Sequence, residues 1–249
     1  MKIAIISDIH GNYEALLKVD EDIQKAQVDK IICLGDFINY GPQPEEVSRY
    51  LIENKIPCVM GNHENAILHK EALARFNPDA ILSIEITRGL ISEETLEYIA
   101  NLPVNLIMDN MLFVHGAPPD SISTYIYTFE DENLLKIFEE LEQQFAFIGH
   151  THDTNSCCYD GQDFEFKMLY PGINQINPKM KHIINVGSVG QPRDGNSDAK
   201  YVIFDDAEFT VDLRYVKYDI DKTAKLIAER NFPKYNAKRL YQNWLEILG

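Results

Sequence analysis

The sequence predicts an α/β fold in which two mixed β-sheets pack together and helices cover their outer faces, a four-layer αββα sandwich. In the first third of the chain, short apolar runs alternate with helical patterns, which is typical of parallel strands joined by helical crossovers. Strand patterns then dominate after residue 145. No repeat and no Pro/Gly/Ser linker divides the 249 residues, so we expect one domain over 1–249.

The elements of the first half follow from apolar runs and helix boundary signals. Asn12 can cap the first helix, and Pro44, Glu45 and Glu46 are typical of the first turn of the second. The turn at Asp109–Asn110 predicts a hairpin. The predicted strands are 2–7, 30–34 and 57–60, the helices are 13–27, 44–54 and 79–101 (broken near Gly89), and the hairpin covers 105–115.

The second half begins with an amphipathic helix at 130–143, where Leu134, Phe138, Leu141 and Phe145 follow helical spacing. Strand patterns make up most of the chain between this helix and residue 216. The predicted strands are 145–149, 156–159, 163–169, 182–186, 200–205 and 208–216, and the final helices are 219–230 and 234–247.

The composition excludes several classes of protein. There are 39 Asp and Glu against 23 Lys and Arg, a net charge of −16, so a basic face that coats nucleic acid or an anionic membrane is not expected. None of the 4 cysteines has C-x-x-C spacing, which argues against a thiolate zinc ribbon. The sequence shows no signal peptide, and no run reaches the ~18 apolar residues of a membrane span. We therefore expect a cytoplasmic protein.

One pattern recurs five times: an apolar strand ends in Asp, His or Asn, usually beside glycine. The carboxyl ends of strands are where open α/β sheets bind ligands. Five of the 7 histidines lie in these segments, a concentration that core packing does not explain. The segments are Asp8-Ile9-His10, Gly35-Asp36, Gly61-Asn62-His63-Glu64, His115-Gly116 and Gly149-His150-Thr151-His152.

Imidazole, carboxylate and amide oxygen together suit borderline divalent ions such as manganese, iron or zinc. The D-x-H and H-x-H spacings would place both side chains of a pair on one side of an extended segment. Each pair could then address one ion or two adjacent ions. A single D-x-H pair is a weak signal, whereas the five segments together predict a metal site.

These motifs, in this order, resemble the calcineurin-like metallophosphoesterase superfamily. The segments Gly35–Pro42 and Asn185–Asp194 are similar to its small prokaryotic branch of phosphodiesterases and diadenosine-tetraphosphatase-like proteins. The resemblance implies two divalent ions, manganese being favoured over iron, zinc or nickel. One ion would be held by Asp8, His10, Asp36 and His152, and the other by Asp36, Asn62, His115 and His150. A hydroxide between them would attack phosphorus in line.

The resemblance also implies catalytic residues, and two further residues are candidates for contacts with the substrate. His63 would protonate the leaving oxygen or stabilise the transition state, and Glu64 or a backbone carbonyl would orient its ring. Arg193 could bind a phosphate with its guanidinium, with an ion pair to Asp194 or to another surface acid as the alternative. Tyr40 could stack on a base, or be an ordinary loop tyrosine. His69 and His182 match no motif and are interpreted as structural.

The predicted function is hydrolysis of a phosphoester or phosphoanhydride in a small phosphorylated substrate: a nucleotide, a phosphodiester or a dinucleoside polyphosphate. The alternatives are a protein serine/threonine phosphatase and a non-catalytic protein-binding scaffold of the same fold. The complete ligand set favours an enzyme over a scaffold. The sequence leaves homo-oligomerisation open.

Overall fold

The computed structural model describes residues 1–126 and 130–241, and it confirms the predicted fold of two mixed sheets flanked by helices. The helices are α1 (Tyr13–Ala26), α2 (Pro44–Glu53), α3 (Asn62–Leu68), α4 (Pro78–Leu90), α5 (Glu93–Ala100), α6 (Asp131–Glu140), α7 (Ile220–Glu229) and α8 (Lys234–Lys238), with a 3₁₀ helix at Lys70–Arg75. The strands are β1 (Lys2–Ile6), β2 (Lys30–Cys33), β3 (Asn105–Met108), β4 (Met111–Val114), β5 (Phe145–Ile148), β6 (Thr154–Tyr159), β7 (Phe164–Met168), β8 (Gly172–Gln175), β9 (Lys181–Val186), β10 (Ala199–Asp205) and β11 (Thr210–Val216).

Each sheet combines a parallel part with antiparallel additions. The five-stranded sheet has the order β2-β1-β10-β11-β8, and the six-stranded sheet has the order β3-β4-β5-β9-β6-β7. Strand β1 runs parallel to β2, as the crossover helix α1 predicts, and β5 runs parallel to both β4 and β9. Parallel neighbours bring their carboxyl ends to one edge of a sheet, where polar loops can meet.

The main apolar layer lies between the two sheets. Ile3 and Ile5 of β1 face this layer, whereas Ile6 faces the helices outside it. Phe113 and Phe147, from neighbouring strands of the other sheet, stack with ring centroids 5.3 Å apart. Both faces of the central strands are therefore buried, which explains why they appear in the sequence as continuous apolar runs rather than as alternating patterns.

The predicted strand at 57–60 is wrong, because only one parallel bridge joins Cys58 to Cys33 of β2. Pro57 has no N–H to donate to a ladder, and the N–H of Met60 already turns away to the carbonyl of Pro103. The structure also contains the short edge strand β8 and the helix α3, which no sequence pattern indicated. The first residues of α3 belong to the metal motif.

The predicted helix at 234–247 is only partly described: α8 ends at Lys238, and residues 242–249 lie outside the described part of the chain. Helices α7 and α8 pack on the loop that follows β2. Asn236 donates to the carbonyl of Tyr40 at 2.9 Å, and Arg230 bonds the carbonyl of Pro42. Within 1–126 and 130–241, no helix is long and apolar enough to cross a membrane.

Candidate metal centre

The seven predicted ligands come together at one end of the two sheets. All except Asn62 are buried. In each of three overlapping groups, the ligand atoms lie within 4.8 Å of one another: Asp8, His10 and His152 form the first group, Asp36, His115 and His150 form the second, and His10, Asp36 and His63 link the two. Asp8 and His10 follow β1, Asp36 follows β2, His115 follows β4, His150 and His152 follow β5, and Asn62 begins α3.

Five of these residues have a left-handed backbone: φ is 52° at Asp8, 48° at His10, 49° at Asp36, 68° at His150 and 66° at His152. Such residues cost about 1–3 kcal/mol each and cluster at functional sites. The expected extended geometry of the D-x-H and H-x-H pairs is therefore wrong. Tight turns instead orient the side chains, so that His150 and His152 belong to different ligand groups.

The first group contains Asp8, His10 and His152. Nδ1 of His10 lies 3.2 Å from the carbonyl of Ile38, and Nδ1 of His152 contacts the carbonyl of Gln191. Each Nδ1 must donate to its carbonyl, so each Nε2 presents a lone pair. The two Nε2 atoms are 3.2 Å apart, and that of His152 is 3.1 Å from Oδ1 of Asp8.

The second group contains Asp36 and His115, with Asn62 beside them. Nδ1 of His115 lies 2.7 Å from the carbonyl of Leu34, which again leaves the Nε2 lone pair facing inward. That Nε2 is 3.1 Å from Oδ2 of Asp36 and 3.2 Å from Oδ1 of Asn62. His150 completes the group. Its Nε2 bonds a backbone carbonyl at 3.1 Å, so its Nδ1 carries the lone pair.

Asp36 lies between the two groups. Its Oδ2 is 4.0 Å from Nε2 of His10 in the first group and 3.1 Å from Nε2 of His115 in the second. Its Oδ1 accepts the backbone N–H of His63 at 2.9 Å. Oδ2 of Asp36 thus faces both ligand groups.

The centre is built to receive positive charge. Oδ1 of Asp8 is buried without a hydrogen-bond partner among the described residues, although Oδ2 accepts from Ser7. Burial alone would raise the pKa of Asp8 and of Asp36, but nearby histidines outweigh it and hold both pKa values well below the usual range. Burial opposes protonation of His115, yet Asp36 raises its pKa to about 9, so a cation that binds here would displace the proton from Nε2 and take up its lone pair. Converging lone pairs and ionised carboxylates fit divalent cations.

His63 lies directly beside this centre, with Nε2 3.7 Å from Oδ2 of Asp36. Its Nδ1 is 2.6 Å from Nδ2 of Asn39. Glu64, which we expected to orient the ring, instead accepts four backbone N–H groups, among them those of Asp36 and Gly61. Asn39 therefore takes the orienting role, and Glu64 holds the loop that carries Asp36. The short Asn-Tyr segment in GDFINYGP was the only sequence signal for Asn39.

A cavity of about 840 Å³ opens above the centre. Arg193 and Tyr40, the two candidates for substrate contacts, both line it, and the ring of Tyr40 packs against those of His10 and His63. The alternative ion pair of Arg193 with Asp194 does not form, because Asp194 pairs with Lys200 at 2.9 Å.

The two histidines interpreted as structural lie apart from the metal centre. His182 stacks on Phe145, and its Nε2 bonds the carbonyl of Asn177. His69 is exposed and lies at the rim of the cavity. Arg239 of the C-terminal region also lines the cavity, although no motif in the sequence pointed to it.

The family model described as calcineurin-like phosphoesterase matches residues 1–176. The chain belongs to this family. It is thus a hydrolase of phosphoester bonds, from a family that depends on a dinuclear metal centre.

Three relatives of this calcineurin-like phosphoesterase are informative. An uncharacterised protein of Methanocaldococcus jannaschii is 35% identical over 96% of this chain and 97% of its own. A crystal structure of a metallophosphoesterase from Sphaerobacter thermophilus is 32% identical, with a TM-score of 0.85 over 97% of this chain and 98% of that one. A symmetrical bis(5'-nucleosyl)-tetraphosphatase of Methylobacillus flagellatus is 34% identical over 45% of this chain and 41% of its own.

Proposed function

We propose that this phosphoesterase hydrolyses a small phosphorylated molecule: a nucleotide, a phosphodiester or a dinucleoside polyphosphate. One observation carries the proposal. Two buried carboxylates and four imidazoles cluster together, and Asp36, His150 and His152 of this cluster line a cavity that also contains arginine. The partial similarity to a bis(5'-nucleosyl)-tetraphosphatase supports a nucleotide among these substrates.

We assign the two ions to the two groups described above. Asp8, His10 and His152 would hold one ion, Asn62, His115 and His150 would hold the other, and Asp36 would address both. Manganese is the favoured ion, with iron, zinc or nickel as alternatives. When bound, such ions lower the pKa of water from ~15.7 towards ~7 and neutralise phosphoryl oxygens.

The protein side chains then position and protonate the substrate. His63 is buried, and burial lowers its pKa well below the usual value, so its ring is neutral at neutral pH. The bond from Asn39 leaves the ring proton on Nε2. That N–H can donate to the oxygen that leaves phosphorus. Arg193 supplies a guanidinium for phosphoryl oxygens at the cavity wall.

An assay of metal-reconstituted protein on a panel of esters tests this proposal. The panel contains a phosphomonoester, a phosphodiester, a nucleotide, a dinucleoside polyphosphate and a phosphoserine peptide, each with added Mn²⁺. We expect turnover of the small molecules to exceed that of the peptide. Preferred turnover of the peptide would indicate a protein phosphatase. Absence of turnover by protein that contains two ions per chain would contradict the proposed function.

We also propose that residues 1–249 form one domain in the cytoplasm. The packing of α7 and α8 on the loop at Tyr40 supports a single unit. The free, buried thiols of Cys33, Cys58, Cys157 and Cys158 suit a reducing compartment. Localisation by microscopy of a fluorescent fusion would check the compartment.

A further inference from the structure

Strand β7 forms one edge of the six-stranded sheet, and β6 is the one strand that pairs with it in the described part of the chain. Two large apolar side chains of β7 are exposed, Phe166 by 49% and Met168 by 59%. Tyr170 and Ile173, which follow on the way into β8, are exposed by 73% and 76%. Thus four of the eight large apolar side chains that are exposed in residues 1–126 and 130–241 fall in the segment 166–173. Single exposed apolar residues are normal, whereas such a cluster marks an interaction surface.

The backbone groups of β7 alternate between its two sides. In an antiparallel ladder, the N–H and C=O of one residue point to the same neighbouring strand, and those of the next residue point the opposite way. The carbonyl of Asp163 accepts the N–H of Asp160 at 3.2 Å, and the N–H of Leu169 donates to the carbonyl of Thr154 at 3.3 Å. The odd-numbered residues of β7 therefore face β6. The even-numbered residues point their backbone groups outwards, where another strand can pair with them: Phe164, Phe166 and Met168.

Strand β7 lacks the features that usually keep an edge strand from pairing, which are proline, a bulge or a row of like charges. Its pairing with β6 is continuous over all five residues, and none of them is proline. Its two charges have opposite signs, and Nζ of Lys167 lies 2.9 Å from Oε2 of Glu165. Two copies of a chain with a net charge of −16 repel each other over most of their surfaces. This neutral strand is a place where they can approach.

The order of residues in β7, Phe-Glu-Phe-Lys-Met, is complementary to itself. When two copies of the strand run antiparallel with Phe166 opposite Phe166, each Glu165 lies opposite a Lys167, and each Phe164 lies opposite a Met168. The outward backbone groups of these phenylalanines and methionines then form the hydrogen-bonded pairs. The charged residues occupy the closer positions between them, where opposite charges stabilise a strand pair. A parallel pairing in register would instead place like charges opposite each other.

We propose that two copies of this chain form a symmetric dimer, in which their β7 strands pair antiparallel about Phe166 and join the two six-stranded sheets. A stable interface buries ~1,200–2,000 Å² in total, more than two paired five-residue strands supply. Tyr170 and Ile173, beside the strand and on the edge strand β8 of the other sheet, extend the apolar contact. Among the described residues, none from 164 to 173 lines the cavity above the metal centre, so the dimer can be tested independently of catalysis.

Sedimentation velocity of the full chain tests this dimer, and circular dichroism checks that each variant is folded. The wild type should have twice the 28.6 kDa mass of one chain. Phe166→Asp and Lys167→Glu should each raise the dimer Kd at least about tenfold, because both place like charges opposite each other across the strand pair. The double variant Glu165→Lys/Lys167→Glu restores opposite charges and should restore the wild-type Kd. The matched control is Ile107→Asp, on the opposite edge strand β3 and 61% exposed, which should leave the Kd unchanged.

A wild type that stays monomeric up to about 100 μM would overturn the dimer. A dimer that persists in Phe166→Asp, or that dissociates in Ile107→Asp instead, would show that another surface forms the contact and would equally refute the β7 pairing. The charge reversals test the register itself. A double variant that dimerises no better than Lys167→Glu would contradict the antiparallel pairing of Glu165 with Lys167.

Discussion

Nδ2 of Asn39 lies 2.6 Å from Nδ1 of His63. The amide N–H donates to this nitrogen, so the single ring proton of the neutral imidazole is on Nε2. That nitrogen lies 3.7 Å from Oδ2 of Asp36, beside the metal centre. Asn39 therefore acts as a positioning residue that determines which ring nitrogen of His63 carries the proton.

Changing Asn39 tests this relationship. Asn39→Ala should lower kcat about tenfold, because the tautomer and the orientation of the ring are no longer imposed. In Asn39→Asp, the new carboxylate should instead accept a hydrogen bond from Nδ1–H and raise the pKa of His63. Its activity should then decline as the pH rises through that new pKa, because Nε2 loses its proton. pH–rate profiles check this, and an identical profile for wild type and Asn39→Asp would contradict it.

His63→Ala should reduce turnover at least about tenfold while the metal content stays constant, because a positioned proton donor typically contributes 10²–10⁴-fold. The measurement is kcat on an ester with a poor leaving group and on an activated nitrophenyl ester, with metal quantified by mass spectrometry. The loss should be greater for the poor leaving group. Equal losses on the two esters, or unchanged turnover of the ester with the poor leaving group, would remove His63 from protonation of the leaving oxygen.

Metal stoichiometry should distinguish Asp36 from Asp8. Asp36→Asn should lower the content of both ions, because its Oδ2 faces both ligand groups. Asp8→Asn should mainly lower the content of one ion, because Oδ1 of Asp8 contacts only the first group. Inductively coupled plasma mass spectrometry after dialysis against the metal gives the number of metal ions per protein chain. Equal losses in the two variants would show that the ions are not shared in this way.

Asp22 joins α1 to the five-stranded sheet through Arg214 at 3.0 Å and the hydroxyl of Tyr201 at 2.8 Å. Burial would raise the pKa of Asp22, but Arg214 and Tyr201 outweigh it and lower the pKa below 3.8. The stabilisation is therefore present above the unfolded-state pKa and is lost as the pH falls through the folded-state pKa.

Asp22→Asn should consequently cost about 1 kcal/mol of unfolding free energy at pH 7, a modest amount because the pair is partly exposed. At about pH 2, the two proteins should be closer in stability. Urea unfolding at both pH values checks this. A variant deficit that stays the same at both pH values would show that Asp22 stabilises the fold by packing rather than by charge.

Much of the fold could be predicted because its signals are local. The apolar run of β1 and the caps of α1 and α2 depend on neighbours along the chain, and these elements are found within one or two residues of their predicted bounds. The failures were at sites where distant contacts decide the structure. Residues 57–60 form no strand because Met60 bonds Pro103 instead, and no local pattern indicates this.

The amino-acid order alone was enough to predict the α/β sandwich and to select the candidate ligands, because both depend on residue type and short-range spacing. The tertiary structure decided how those ligands are aimed. Left-handed turns separate His150 from His152, Asn39 rather than Glu64 contacts His63, and α8 brings Arg239 to the cavity. The physical reason is that these relations arise when packed elements far apart in the chain meet, and the packing energy of the whole fold holds them in place.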